Sequence, residues 1–344
     1  MGLRHFSKLM GAWLLVGGVT VVFVEVGLRL AAPLHVAGGY VGNFQYDEEL
    51  GFRMKTGYFS NVTDFKQEMF VNELGTINFI DEFSGHRNLI FALGDSYTQG
   101  TGLPMDSSYP IQLDLLLNTP DGEYRPDNLV VNLGLAAYGG DQILIVYKRF
   151  RDLIGQPDVI LYLGCSNDAD DDRMFRSGYR HRSLVSGNPH YGMLQKPLAW
   201  LTHGTEIGKR VNYLRGVAAR RRMGVTDAAD RQPSSTPVAV SQRESIEWLR
   251  NEAEENGALL VVGWANGPDY APDPNSYQWL KEWARDNGVA FADWYPGVES
   301  VRRSMPALPA TNDHSSGHYR SWVNTFIARA FAKPIQARID SQAE

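Results

Sequence analysis

Five short apolar runs constrain this chain more than any other feature: residues 89–93, 128–133, 159–163, 258–264 and 289–292. They are too short for independent helices, rich in Leu, Val and Ile, and followed within a few residues by Gly, Asn, Asp or Ser, as buried strands are. Segments with helical spacing lie between them, at 109–117, 141–153, 241–256 and 276–286, and a last one follows at 321–331. In the second of these, Ile143, Leu144, Tyr147 and Phe150 recur three and four residues apart. Strands alternating with helices predict the α/β class: a doubly wound parallel sheet of about five strands, helices on both faces, and short right-handed connections.

A chain of 344 residues can bury one large core, or one core and a smaller attached unit. The net charge of -6 argues against a nucleic-acid partner, which would call for a basic face. A single cysteine, Cys165, excludes an intramolecular disulfide and reads as a small buried apolar residue. At the N-terminus, Arg4 and Lys8 precede an uncharged apolar run from Leu9 to Val24, followed by Glu25 and Arg29. This predicts an uncleaved signal anchor with its basic end in the cytoplasm. The alternative is a cleaved signal, but the nearest small-residue site, Val36-Ala37-Gly38, stands far behind the apolar run.

The expected division is therefore a cytoplasmic stub and transmembrane anchor at 1–32, a connector with accessory strands at 33–85, the main domain at 86–335, and a tail at 336–344. The main domain then lies outside the cytoplasm, at the periplasmic face in a Gram-negative cell. A polar insertion at 169–236 interrupts it, and its length next to Asn167 suggests a lid.

Three strand ends carry chemistry. The first closes in Gly94-Asp95-Ser96, the second in Gly134-Leu135-Ala136-Ala137-Tyr138-Gly139-Gly140, and the third in Gly164-Cys165-Ser166-Asn167-Asp168. In a doubly wound sheet such ends converge on one crevice. A hydroxyl beside neutral hydrogen-bond donors suits acyl transfer: Ser96 as nucleophile, with its own N–H, an N–H of the turn near Ala137, and the Asn167 side chain around a developing oxyanion. Each residue also has a plainer reading. Ser96 suits a helix N-cap and Asn167 a turn, while Asp168, Asp170, Asp171 and Asp172 read as a solvated acidic loop, with no metal site expected.

These three motifs, in this order, resemble those of the GDSL, or SGNH, hydrolase family, over roughly residues 88–331. The extended Gly94-Asp95-Ser96-Tyr97-Thr98-Gln99-Gly100 form and the N-terminal anchor resemble a membrane-tethered bacterial subgroup. The resemblance implies a flavodoxin-like sheet and hydrolysis of ester-linked acyl groups, without metal or organic cofactor. It also implies a histidine base before the last helix, with an Asp three residues earlier. Here the segment is Thr311-Asn312-Asp313-His314-Ser315-Ser316-Gly317-His318. His318 fits the spacing to Asn324, Ile327 and Ala328, but Ser315 stands where the acid belongs. Asp313 is the candidate acid and His314 the alternative base. In the second block the family's glycine is replaced by Ala137, which keeps its donor if φ is negative; Gly139 is the alternative if φ is positive.

The resulting expectation is a membrane-anchored serine esterase removing an acyl group, such as acetyl, from an envelope glycan or lipid. An O-acyltransferase using the same site is one alternative. A non-catalytic glycan-binding or assembly protein that retains the fold is another.

Overall fold

The five apolar runs form one parallel sheet: β5 (Asn88–Gly94), β6 (Asn128–Asn132), β7 (Val159–Cys165), β8 (Leu259–Ala265) and β9 (Ala290–Phe291). The computed structural model describes residues 3–31, 44–62, 66–79, 83, 85–120, 122–177, 201, 205–208, 210, 211, 214, 240–265, 276–312 and 317–343. The strands lie in the order β6-β5-β7-β8-β9, so the first of the five is interior and the chain reverses its direction of travel between β5 and β7. That is the flavodoxin-like order, and ligands of such sheets bind beyond the carboxyl ends of the strands at the reversal.

Alternate side chains of each strand feed two separate cores, which is why these runs are mostly apolar, Asn128 and Asn132 of β6 excepted. On one face, Phe91, Leu93, Val131, Ile160 and Val262 pack under α4 (Gly140–Ile154), α6 (Val240–Glu255) and α7 (Tyr277–Asp286). On the other, Ile90, Ala92, Val130, Leu161 and Val261 pack under α3 (Tyr109–Asn118), α8 (Tyr295–Ser304) and α9 (Ser321–Ala343). Asn324, at the start of α9, accepts the Tyr109 N–H at 3.1 Å and so fixes α9 against the first turn of α3.

Before the sheet, the chain forms two antiparallel hairpins, β1 (Phe44–Asp47) with β2 (Gly51–Met54), and β3 (Gly57–Val62) with β4 (Lys66–Val71). The first hairpin belongs to the α4 side of the core through Leu50, Phe52 and Met54. Tyr138 Oη donates to Phe52 O at 2.7 Å, Gln142 Nε2 donates to Leu50 O at 2.8 Å, and Arg149 donates to both carboxylate oxygens of Asp47 at 2.7 and 2.9 Å. Residues 77 and 78 then run along β6: the Ile77 N–H donates to Asn132 O, and the Asn78 amide bonds Val130 O and the Asn132 N–H.

The structure departs from the sequence reading in four places. Helix α9 continues past Phe331 through Pro334 to Ala343, with Ile335 fully buried in the same core. Helix α8 was not anticipated. The acidic run at 168–172 is not a solvated loop but the first turns of α5 (Asp168–Arg176), with Asp168, Asp171 and Asp172 buried. Finally, 1–42 and 188–231 form a compact unit of their own, distinct from the unit that carries the sheet. Within it, α1 (Leu3–Ala31) holds the segment 10–31, long and apolar enough to cross a membrane. Its Glu25 carboxylate accepts the backbone N–H groups of Glu206 and Ile207 at 2.8 and 3.1 Å. Most of the insertion expected to form a lid lies outside the described residues.

Candidate active site

Gly94 ends β5 because nothing larger fits there. Its φ is +156°, and a Cβ would stand 2.2 Å from Thr98 Oγ1 and 2.8 Å from Leu163 O. The chain can therefore turn at once into α2 (Ser96–Gln99), capped by Asp95, whose Oδ1 accepts the Tyr97 N–H at 2.9 Å. Ser96 thus opens a helical turn beyond the strand end. It is not the cap, so its hydroxyl is available for other partners.

His318 reaches that hydroxyl. Its Nε2 lies 2.7 Å from Ser96 Oγ. The segment carrying it is held at both ends: the Asn312 N–H donates to His318 O at 2.8 Å, Thr311 bridges Tyr319, and the Asn312 side chain bonds Gly102 O at 3.1 Å. The Tyr97 ring lies 4.9 Å from the imidazole centroid and so confines its plane. Asp313 and His314 lie outside the described residues.

Asn167, at the end of β7, meets the same centre. Asp95 Oδ2 accepts from Asn167 Nδ2 at 3.3 Å and lies 3.3 Å from Ser96 Oγ, whose hydrogen has its nearer partner in His318 Nε2. The Asp95 carboxylate is therefore a hub between two strand ends, a part the sequence reading did not assign. An acid before a serine at a strand end reads simply as a helix cap, and nothing in the sequence shows that its second oxygen faces β7.

The turn after β6 is fastened onto α2. The Ala136 N–H donates to Gln99 Oε1 at 2.7 Å, and the Leu135 N–H donates to Gly94 O at 3.3 Å. Gly134 packs so closely that a Cβ on it would lie 2.5 Å from Gln99 N. Ala137 is exposed and has φ +66°, alone among described non-glycine residues in the left-handed region. Gly139, the alternative donor for positive φ, directs its N–H to Gln142 Oε1 at 3.4 Å, and a Cβ on it would meet Asp172 Oδ1 at 2.4 Å. It is buried against α5, whereas Ala137 is at the surface.

Four carboxyls, Asp95, Asp168, Asp171 and Asp172, surround the start of α5. Burial pushes each above the usual carboxylate range: Asp168 well above it, aided by the charge of Asp95, and Asp171 up to about 6. Tyr162 Oη, the Cys165 N–H and Gln242 Nε2 all donate to Asp168 Oδ2. No group of metal ligands forms among the described residues. A carboxyl raised in the folded state keeps its proton where the unfolded chain has lost it, so stability falls as pH rises through the interval between the two values. For Asp171 that interval runs from 3.8 to about 6, and its share is on the order of 2–3 kcal/mol. Thermal melts are expected to give a lower Tm at pH 7.5 than at pH 5, with a shallower slope in Asp171→Asn. An equal slope in the variant would remove Asp171 as a cause.

A hydroxyl paired with an imidazole, beside amide donors at a sheet's carboxyl edge, can attack a carbonyl and stabilise the resulting oxyanion. No family model and no curated protein matches the sequence. Among solved structures, the chain is similar to a member of the lipolytic protein G-D-S-L family from Veillonella parvula DSM 2008. The identity is 11%, with 71% of this chain and 96% of that one covered, and the TM-score is 0.40. It is also similar to a catalytic mutant of an acetylxylan esterase from Geobacillus stearothermophilus, at 12% identity, 73% and 95% coverage and a TM-score of 0.39. Likenesses this distant transfer neither a substrate nor a residue role.

Proposed function

We propose that this chain is a serine ester hydrolase of the GDSL, or SGNH, kind, with Ser96 as nucleophile and His318 as its base. The observation that carries the reading is the 2.7 Å approach of His318 Nε2 to Ser96 Oγ, made by residues 222 positions apart in the chain. Neutral imidazole accepts the hydroxyl proton as Oγ bonds to the ester carbonyl carbon, and the carbonyl oxygen takes up the negative charge. That charge is met by the Ser96 N–H, the Ala137 N–H and one hydrogen of the Asn167 amide. The exposure of Ala137 and the engagement of Gly139 with Gln142 favour Ala137 as the second donor. As the tetrahedral intermediate collapses, the alcohol leaves with the proton from His318. Water, deprotonated by the same imidazole, then releases the acid and restores Ser96. Asp313 remains the candidate acid behind His318, and no cofactor is assigned a part.

The proposed substrate is an ester, such as an acetyl group, on an envelope glycan or lipid, presented to a domain held outside the cytoplasm by α1. The apolar helix and the esterase resemblance support this reading. The full-length protein in detergent, treated with a fluorophosphonate probe and assayed with p-nitrophenyl acetate, tests the reading. Covalent label on Ser96 and turnover that the label abolishes are expected. An unlabelled Ser96 with no turnover would favour the binding-protein alternative instead.

A further inference from the structure

Asn167 occupies the N-cap position of α5, is exposed to solvent, and makes no capping bond with its side chain. A side chain so placed has rotamers to choose from, yet an oxyanion donor must be fixed in advance. Its amide nitrogen carries two hydrogens, and both are engaged. One goes to Asp171 Oδ2 at 2.8 Å, one helical turn along α5; the other goes to Asp95 Oδ2 at 3.3 Å. Among the described residues these carboxylates are the side-chain amide's partners, and the two bonds are unequal.

We infer that Asp171 is the positioning residue of the oxyanion donor: its short bond fixes the Asn167 amide so that the second hydrogen, held loosely by Asp95 in the free protein, passes to the oxyanion beside Ser96. The inference rests on the esterase reading above. Asp95 Oδ2 lies the same 3.3 Å from Ser96 Oγ, so the loosely held amide hydrogen points at an oxygen beside the nucleophile. When Oγ bonds to the carbonyl carbon and its proton moves to His318, the substrate oxygen arrives beside this acceptor. The amide hydrogen can then exchange one oxygen for another without a change of rotamer. Asp171 suits the part because it is 7% exposed and sits four residues after Asn167, on the same helix face. An acid at this position has no role as nucleophile, base or donor, and its burial alone would argue against keeping it charged.

Steady-state kinetics of full-length Asp171→Ala and Asp171→Asn with p-nitrophenyl acetate test this, beside the rate at which a fluorophosphonate labels Ser96. In Asp171→Ala, kcat is expected to fall about tenfold with KM within about threefold, part of the 10²–10³-fold loss known for removing an oxyanion donor outright. The labelling rate should fall by a similar factor, because the phosphonyl oxygen needs the same donor. Asp171→Asn keeps an acceptor oxygen at the same reach and is expected to recover most of both rates. Asp171→Ser, too short to reach Asn167, replaces the alanine variant should that one fail to fold. A kcat and labelling rate within twofold of wild type in the alanine or serine variant would overturn the inference and leave the esterase intact. So would an asparagine variant as impaired as the alanine one. A wild type that neither turns over nor labels would instead overturn the esterase reading, and this inference with it.

Discussion

Ser96→Ala is expected to lower kcat for p-nitrophenyl acetate at least ~10⁴-fold, and His318→Ala to do nearly as much. The near-equality is the informative part. Hydroxyl and imidazole act as one unit at 2.7 Å, so removing either disables the attack, and the double variant should be scarcely slower than Ser96→Ala. What remains in each case is the contribution of the donors and of binding, which survive the loss of the nucleophile. KM should change little, since neither side chain is needed to hold the ester. His314→Ala, run in parallel, should retain most activity. If His314→Ala were the crippled variant and His318→Ala the active one, the base would be reassigned.

Gly134→Ala is expected to lower stability by about 3 kcal/mol and to remove most activity from the protein that still folds. The added Cβ would lie 2.5 Å from Gln99 N, 2.5 Å from Thr98 Cβ and 2.7 Å from Thr98 C. Two of these are backbone atoms of α2, directly behind Ser96, so neither side chain rotation nor a small shift relieves the contact. Either the turn carrying Ala137 moves away from α2 or α2 moves off the end of β5, and both displace donors from the nucleophile. Urea unfolding followed by circular dichroism reads the stability, with an unchanged m-value showing that the denatured state is unaltered. Wild-type midpoint and activity in this variant would mean that the turn is not seated on α2 as described.

Four of the five strands were legible because both faces of each are largely buried, which leaves runs of mostly apolar residues; β9, only partly buried, was legible from the same run of apolar types. The rhythm of strands and helices then identified the sheet. Ser96, Asn167 and His318 were legible as types at strand ends and by spacing to Asn324, Ile327 and Ala328, and the structure brings Ser96 to both of the others, directly to His318 and through Asp95 to Asn167. Asp171 and Asp168 were misread because four acids in five residues look solvated; only the tertiary position of α5, packed beside Gln242 and Tyr162, buries them. Helix α8 was missed because its buried contribution is a single residue, Val298, too little to set a period. The grouping of 188–231 with 1–42 had no sequence signal, since contacts such as Glu25 with the Glu206 and Ile207 amides join residues about 180 positions apart.

The segment at 77–78 bears on where this chain can be cut. By sequence alone, residue 86 looks like a natural first residue for a minimal catalytic fragment. Such a fragment would lose Ile77 and Asn78 from the flank of β6, leaving the polar groups of an outermost strand open to water. It would also lose Leu50, Phe52 and Met54 from over α4. A bare, straight strand next to an uncovered apolar face is a template on which a second copy can add its own strand. The hairpins that look like a connector therefore act as a guard on solution behaviour, and a fragment meant to stay monodisperse should begin before β1 and not after β4.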